Sequence, residues 1–249
     1  MAINNKKITE LVGENYVFAS VLYYFGIRFY DYSEKTLEQV CAEKGLDIDV
    51  VISRLESIVG EKENVEVELL GYPIDLIIEY LKHAHYIFIK QKLPYIARLI
   101  ENLQAVFPLH RQIIEDLKFV FPLFVEDFIH HIYEEEDSLF CYINLLNKFL
   151  NQPSNPSVVF YEMEKFSLQE HAIAHDLHDD EMEGIRSITN DYRLPDERDL
   201  HLKVVFEELR SFEKQLIAHA GVENEILFPK ALLLEKEVKC ELKEKIRWN

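Results

Sequence analysis

Histidines placed four residues before a glutamate are the first feature of this sequence that could do chemistry. The chain has ten histidines in 249 residues, and a four-residue step puts both side chains on one face of an α-helix. The pairs at this spacing are His130–Glu134, His131–Glu135 and His219–Glu223. With 32 glutamates in the chain, roughly one such pair is expected by chance, so the count alone is weak evidence.

Two of these pairs lie in the same longer pattern. In each, a histidine is followed by three residues, a glutamate, and a Leu-Phe dipeptide that begins four residues after the glutamate. The two copies occupy residues 131–140 and 219–228. Two helices with the same pattern indicate two halves of one site.

The residue types at this site restrict the metal. Imidazole and carboxylate together suit iron, manganese or zinc rather than copper(I) or calcium. Glu135 and Glu223 could each bridge two ions about 3.5–4 Å apart. We expect an imidazole from His175 on a third helix, and one from His85, or its neighbour His83, on the first. The alternative is that these histidines make hydrogen bonds at the surface or between helices.

Four long segments with apolar residues at helical spacing are expected to position these side chains. Short breaks that contain proline separate them, and long helices with short connections predict an antiparallel four-helix bundle. The segments are 73–105, 109–151, 156–190 and 196–236. Side chains of facing helices can meet on a metal inside such a bundle. The alternative is an irregular all-α domain.

The residues ahead of the bundle predict a small helical domain. Thr36 and Gln39 have the spacing of a capping box at a helix start, and Gly45 suits the end of the same helix. An acidic stretch then separates this region from the long segments. The predicted divisions are a helical domain over 1–60, a linker over 61–72 and the bundle over 73–249.

The composition excludes several classes of protein. Lys and Arg number 27 against 45 Asp and Glu, for a net charge of −18, whereas a nucleic-acid binder needs a basic face. Glycine (7) and proline (8) are too scarce for a turn-rich all-β fold. The apolar stretches are too short to span a bilayer, and the first residues lack a signal-peptide core. Three widely spaced cysteines make a poor disulfide framework, so we expect a soluble protein of the reducing cytoplasm.

Three of the segments that carry histidines resemble one known family. Residues 219–231, HAGVENEILFPKA, are similar to the last helix of the hemerythrin-like HHE cation-binding domain, and more narrowly of the di-iron iron–sulfur cluster repair family. Residues 131–140 resemble its second helix, and residues 175–195 resemble its third, which ends in Thr-Asn before a proline. The leading region resembles the family's small N-terminal domain at 25–29 and 35–45, so the resemblance covers nearly the whole chain.

The sequence departs from the family at three places. The family's first-helix histidine stands eight residues before the proline of a Leu-Pro pair, whereas here Tyr86 is eight residues before Pro94 and His85 is nine. A helix bulge would restore the register of His85; otherwise Tyr86 takes the usual place. Ala174 replaces an acidic residue, and the Tyr-Asp pair at 30–31 replaces adjacent cysteines and cannot do the chemistry of a thiol pair.

The resemblance implies a cytoplasmic protein with an oxo-bridged, non-haem di-iron centre that repairs or protects iron–sulfur clusters under nitrosative or oxidative stress. Two mechanisms stay open, which are iron donation and the binding or reduction of nitric oxide. The implied partners are damaged iron–sulfur proteins, with nitric oxide or dioxygen as the small ligand, and the chain is expected to be a monomer or homodimer. The implied terminal ligands are His85, His131, His175 and His219, and the implied bridges are Glu135 and Glu223.

Neighbouring polar residues could orient these imidazoles from outside the metal shell. The candidates are Asp127, His171, Asp176 and His178. Two other functions stay open, a hemerythrin-like protein that binds or senses dioxygen or nitric oxide without catalysis, and a metal-free helical adaptor. Metal analysis would identify the adaptor, and a stable oxygenated form would favour the carrier.

Overall fold

A computed structural model describes residues 3–60, 69–152, 154–178, 180–194 and 198–247, and the side chains of 59–60, 174–178 and 245–247 lie outside the described part. The structure is all-α as predicted, and no strand occurs in these ranges. None of their helices is long and apolar enough to cross a membrane. The α-helices are α1 Ile8–Glu14, α2 Val17–Tyr24, α3 Leu37–Lys44, α4 Ile48–Gly60, α5 Ile74–Ile87, α6 Leu93–Glu101, α7 Arg111–Glu134, α8 Cys141–Asn151, α9 Pro156–Lys165, α10 Leu168–His178, α11 Glu183–Thr189, α12 Leu200–Val222 and α13 Phe228–Arg247.

Helix α3 has the caps that the sequence predicts, and α4 also begins at a capping residue. Thr36 Oγ1 accepts a hydrogen bond from the backbone N–H of Gln39 at 3.3 Å, and Gln39 Oε1 accepts one from Thr36 at 3.0 Å. Gly45 has a φ of +66°, the left-handed conformation that ends α3 and that glycine adopts without strain. Asp47 Oδ1 accepts from the N–H of Asp49 at 2.9 Å at the start of α4.

Three of the four bundle segments are continuous helices that contain one π-helical turn each. Phe88–Lys92 joins α5 to α6, Glu135–Phe140 joins α7 to α8, and Glu223–Leu227 joins α12 to α13. The last of these helices continues beyond the predicted end at residue 236. Val238 and Leu242 extend its buried face, which explains the greater length.

Two of the π turns are followed by a proline. Pro94 and Pro229 each lie two residues beyond a π turn. A proline has no N–H to donate and clashes with the carbonyl four residues earlier; in both cases that carbonyl belongs to the wider π turn. At the third turn, the Ser138 hydroxyl donates to the Glu134 carbonyl, which competes with the backbone ladder.

The prediction of one long helix over 156–190 is wrong. The structure has three shorter helices there, α9, α10 and α11. Phe166 takes an extended conformation, with φ −112° and ψ 125°, and the Ser167 hydroxyl then accepts from the N–H of Glu170 at 3.2 Å, which caps α10. A turn at 181–182 precedes α11. The third side of the bundle is therefore irregular.

Two apolar cores divide the length of the bundle, and the leading helices share the first of them. Along the three continuous helices, the first core is bounded by Phe88, Ile132 and Phe212, and the second by Leu81, Leu139 and Leu227. The α5–α6 helix runs from the second core to the first, whereas the other two run the opposite way, as an antiparallel bundle requires. Four of the predicted ligands, His85, Glu135, His219 and Glu223, lie between the two cores.

Candidate metal centre

Four of the predicted ligands converge between the two apolar cores. Each of His85, Glu135, His219 and Glu223 places one ligand atom within 4.8 Å of the other three. The first, second and fourth are 1% exposed, and the side chain of His219 is 10% exposed. The Nε2 atoms of the two histidines are 3.0 Å apart, so both imidazoles point into the same small volume.

The π turns place these side chains. Glu135 and Glu223 are the first residues of their π turns, and such turns are frequent at functional sites. The remaining π turn lies between His85 and Pro94. It is a helix bulge of the kind that would bring His85, nine residues before this proline, into the position of the family's first-helix histidine. Tyr86 is 57% exposed.

A carboxylate outside the cluster orients His85. Its Nδ1 lies 2.8 Å from Glu136 Oε1, so the ring donates from Nδ1 and directs the Nε2 lone pair at the cluster, the usual arrangement of a metal-binding histidine. Burial acts to lower the pKa of His85, but the hydrogen bonds and charges of Glu135, Glu136 and Glu223 outweigh it and raise the pKa above its ordinary value.

The carboxylate of Glu135 lies between two imidazoles. Its Oε2 is 3.4 Å from His85 Nε2, and its Oε1 is 3.3 Å from His131 Nε2. One imidazole at each oxygen is the arrangement expected of a carboxylate that bridges two ions. His131 itself is 38% exposed and stands at the edge of the cluster. On the opposite helix, Glu223 Oε1 is 3.3 Å from His219 Nε2.

A cavity of about 490 Å³ adjoins the cluster. Phe128 and Leu216 contribute apolar walls, and several acidic side chains contribute polar ones. Among its described lining residues, Arg186 alone carries a permanent positive charge, and Asp180 and Glu213 bind that guanidinium. The cavity therefore has room for a small ligand beside the cluster, and its charge is predominantly negative.

The donor set fits metal ions. Two fully buried carboxylates carry charge that is costly to bury unless a cation compensates it. Imidazole and carboxylate ligands in this combination suit iron, manganese or zinc. His85, Glu135, His219 and Glu223 could hold a pair of ions, with His131 on the open side.

The other predicted positions have different outcomes. The side chain of His175 lies outside the described residues, as do those of Asp176 and His178. Asp127 is exposed, whereas His171 lines the cavity.

Two acidic residues near the cluster were missed from the sequence. Glu136 follows Glu135 directly, and adjacent helical residues point about 100° apart, so the four-residue spacing selected Glu135 alone. Glu136 reaches the other ring nitrogen of the same His85. Glu181 lies 3.8 Å from His131, on the turn that interrupts the predicted third helix. Neither π turn nor helix break had a clear signal in the periodicity.

Comparison with known proteins finds several iron–sulfur cluster repair proteins among the relatives of this chain. No protein-family model matches the chain. The chain is 26% identical over 211 residues to the iron-sulfur cluster repair protein YtfE of Dickeya chrysanthemi, which covers 84% of this chain and 88% of the relative. It is 22% identical to the YtfE protein of Escherichia coli O81 and 20% identical to that of Yersinia pseudotuberculosis, over 80% of this chain and 84% of each relative.

These matches confirm the class that the sequence predicts. The chain is an all-α bundle protein with a candidate His/Glu metal site. It is related to the iron–sulfur cluster repair proteins.

Proposed function

We propose that this protein is a hemerythrin-like, non-haem di-iron protein of the cytoplasm that repairs or protects iron–sulfur clusters under nitrosative or oxidative stress. The observation that carries the proposal is the buried cluster of two imidazoles and two carboxylates between the apolar cores. The relatives are iron–sulfur cluster repair proteins, and they supply the biological setting of the proposal.

The proposed ligands follow the geometry and the resemblance together. Glu135 and Glu223 would bridge, and the support for Glu135 is that its two oxygens face different imidazoles. The proposal for His175 rests on the sequence alone. The proposed terminal ligands are His85, His131, His175 and His219.

A bound pair of iron ions supplies one-electron redox chemistry and open coordination positions for a small ligand. The chain's residues do the rest. Glu136 fixes the Nδ1 proton of His85, so that Nε2 stays available as a ligand atom. The apolar cores exclude water from both sides of the site, and the cavity admits a ligand as small as nitric oxide or dioxygen.

Two routes to cluster repair are compatible with this site. In the first, iron passes to a damaged iron–sulfur protein, and the partial exposure of His131 supports an exit on the cavity side. In the second, the site binds and reduces nitric oxide. Iron transfer to an apo iron–sulfur protein in the absence of nitric oxide supports the first route, and release of nitrous oxide from the reduced protein supports the second.

Metal content tests the proposal directly. Protein loaded with iron without oxygen should hold two irons per chain by metal analysis. Glu135→Ala and Glu223→Ala should each lose iron, because each carboxylate is proposed to contact both ions. Glu237→Ala, at an exposed position of α13, serves as the control and should keep both irons.

Iron content and the optical spectrum also distinguish the two alternative functions, a metal-free adaptor and a dioxygen carrier. A protein that holds no more than a trace of iron, or a Glu135→Ala/Glu223→Ala double variant that keeps the wild-type content, would contradict the di-iron proposal and favour the metal-free adaptor. A stable oxygenated form in the optical spectrum would instead favour a dioxygen carrier.

A further inference from the structure

The interrupted third side of the bundle brings an additional carboxylate to the metal centre. Glu181 lies on the turn between α10 and α11 and lines the same cavity as His131 and Glu135. Its Oε1 is 3.8 Å from His131 Nε2, which is also 3.3 Å from Glu135 Oε1. The His131 imidazole is therefore flanked by two carboxylates.

We propose that Glu181 is a further metal ligand, which binds the same ion as His131 on the open side of the pair. This inference rests on the proposed di-iron function and deepens it. It distinguishes the two ions: one lies beside the buried His85 and His219, and the other beside the half-exposed His131 and Glu181, whose side chains are 38% and 28% exposed.

The separations are those of atoms that can share an ion. Ligand atoms bound at about 2.1 Å to one ion lie roughly 3 to 4.2 Å apart, depending on the angle between them. The distances from His131 Nε2 to Glu135 and Glu181, 3.3 Å and 3.8 Å, both fall in this interval. Oxygen from a carboxylate is also a ligand that iron accepts beside imidazole.

The turn that carries Glu181 is fixed on both sides. The preceding residue, Asp180, binds the Arg186 guanidinium, which also binds Glu213 on α12. The following residue, Met182, is 2% exposed and belongs to the first apolar core. The backbone at Glu181 is held by these neighbours, so only the entropy of its own side chain is lost when it binds an ion.

Iron binding to the metal-depleted full chain tests this assignment. Iron(II) is titrated without oxygen, and the free and bound metal are measured after equilibrium dialysis. Glu181→Gln keeps the size of the side chain and removes its charge. We expect this variant to raise the dissociation constant of the second iron at least tenfold and to leave that of the first iron within about twofold of the wild type. Glu181→Asp, which keeps a carboxylate, should recover part of the loss.

Glu183→Gln is the matched control. It removes the same charge two residues away, at an exposed position outside the cavity lining, and should bind both equivalents like the wild type. Circular dichroism and thermal unfolding of each variant verify the fold.

The outcomes separate this inference from the function on which it rests. If Glu181→Gln binds both equivalents as tightly as Glu183→Gln, while Glu135→Ala loses iron, Glu181 is not a ligand and the di-iron function stands. If the affinity for the second iron falls equally in Glu181→Gln and Glu183→Gln, the loss comes from long-range charge and the inference is overturned. If the wild type itself binds no iron, the proposed function fails, and the inference fails with it.

Discussion

The two ring nitrogens of His85 have different surroundings, and this difference sets the chemistry of the site. Nδ1 contacts the Glu136 carboxylate at 2.8 Å, and Nε2 contacts His219 Nε2 at 3.0 Å. A carboxylate on Nδ1 fixes the tautomer and makes Nε2 a better donor to a metal. We therefore expect Glu136 to position His85, although the sequence alone gave no reason to select it.

The choice of the first-helix ligand is a prediction at the scale of single residues. His85→Ala should lower the iron content more than His83→Ala, because His85 is buried in the cluster whereas His83 is exposed. A two-residue step turns a helical side chain by about 200°, so the two cannot face one site. Metal analysis of both variants measures the difference.

Tyr86→Phe completes this comparison. The exposed position of Tyr86 predicts an unchanged optical spectrum of the iron-loaded protein. A changed spectrum in Tyr86→Phe, together with normal iron in His85→Ala, would transfer the ligand role to the phenol.

At the scale of elements, the π turns explain what periodicity could and could not predict. The repeated His-x3-Glu pattern located Glu135 and Glu223 because four residues separate them from their histidines on one helix face. Both π turns begin at the glutamate and leave this spacing unchanged, so the pairs were predictable. The contact of Glu136 with His85 depends on how two helices face each other, which periodicity does not give. The 156–190 segment was misjudged because the extended Phe166 and the cap at Ser167 interrupt a stretch whose apolar spacing continues.

The ion pair between Arg186 of α11 and Glu213 of α12 gives a prediction at the scale of elements. Arg186 bonds to Asp180 and Glu213, and the Glu213 side chain is only 12% exposed. Arg186→Gln should lower the free energy of unfolding by about 1–3 kcal/mol, because it leaves a largely buried carboxylate without its cation. Denaturant unfolding of the metal-depleted protein measures the loss without a contribution from iron.

Arg98→Gln is the control for this prediction. Arg98 pairs with Glu101 at 3.0 Å, but the two side chains are 52% and 66% exposed, and exposed pairs contribute about 1 kcal/mol or less. Equal losses in the two variants would show that the Arg186 pairs behave as surface pairs and do not hold the turn in place.

At the scale of the whole molecule, the leading helices and the bundle share a core. Tyr30 stacks on His201 of α12, with ring centroids 4.4 Å apart, and burial lowers the pKa of His201 to about 4, so this ring is neutral. Tyr30 stands where the related family has a cysteine, and here it packs against the bundle. Cys41 lies inside α3 and is buried. The division into 1–60, 61–72 and 73–249 stays a prediction, and residues 61–68 lie outside the described part of the chain.

Glu208 is a buried carboxyl whose titration should make the stability of the protein depend on pH. This residue of α12 is 4% exposed, and its charge acts on Tyr24 of α2 and Tyr95 of α6. Burial raises the pKa of Glu208 to about 7, although Lys92 acts to lower it. The folded protein therefore holds a proton that the unfolded chain releases between about pH 4.5 and 7.

Stability should accordingly fall as pH rises through this interval and level off above it. Glu208→Gln should remove this dependence and raise the free energy of unfolding at pH 8 by about 3 kcal/mol, which corresponds to the difference between a pKa of about 7 and 4.5. Near pH 4.5 the gain should disappear. Denaturant unfolding of the metal-depleted protein from pH 4.5 to 8 measures it, with the exposed Glu237→Gln as the control that should follow the wild type. A gain that is constant with pH would show that the Glu208 carboxyl does not titrate in this interval, and that its effect on stability comes from packing between the leading helices and the bundle.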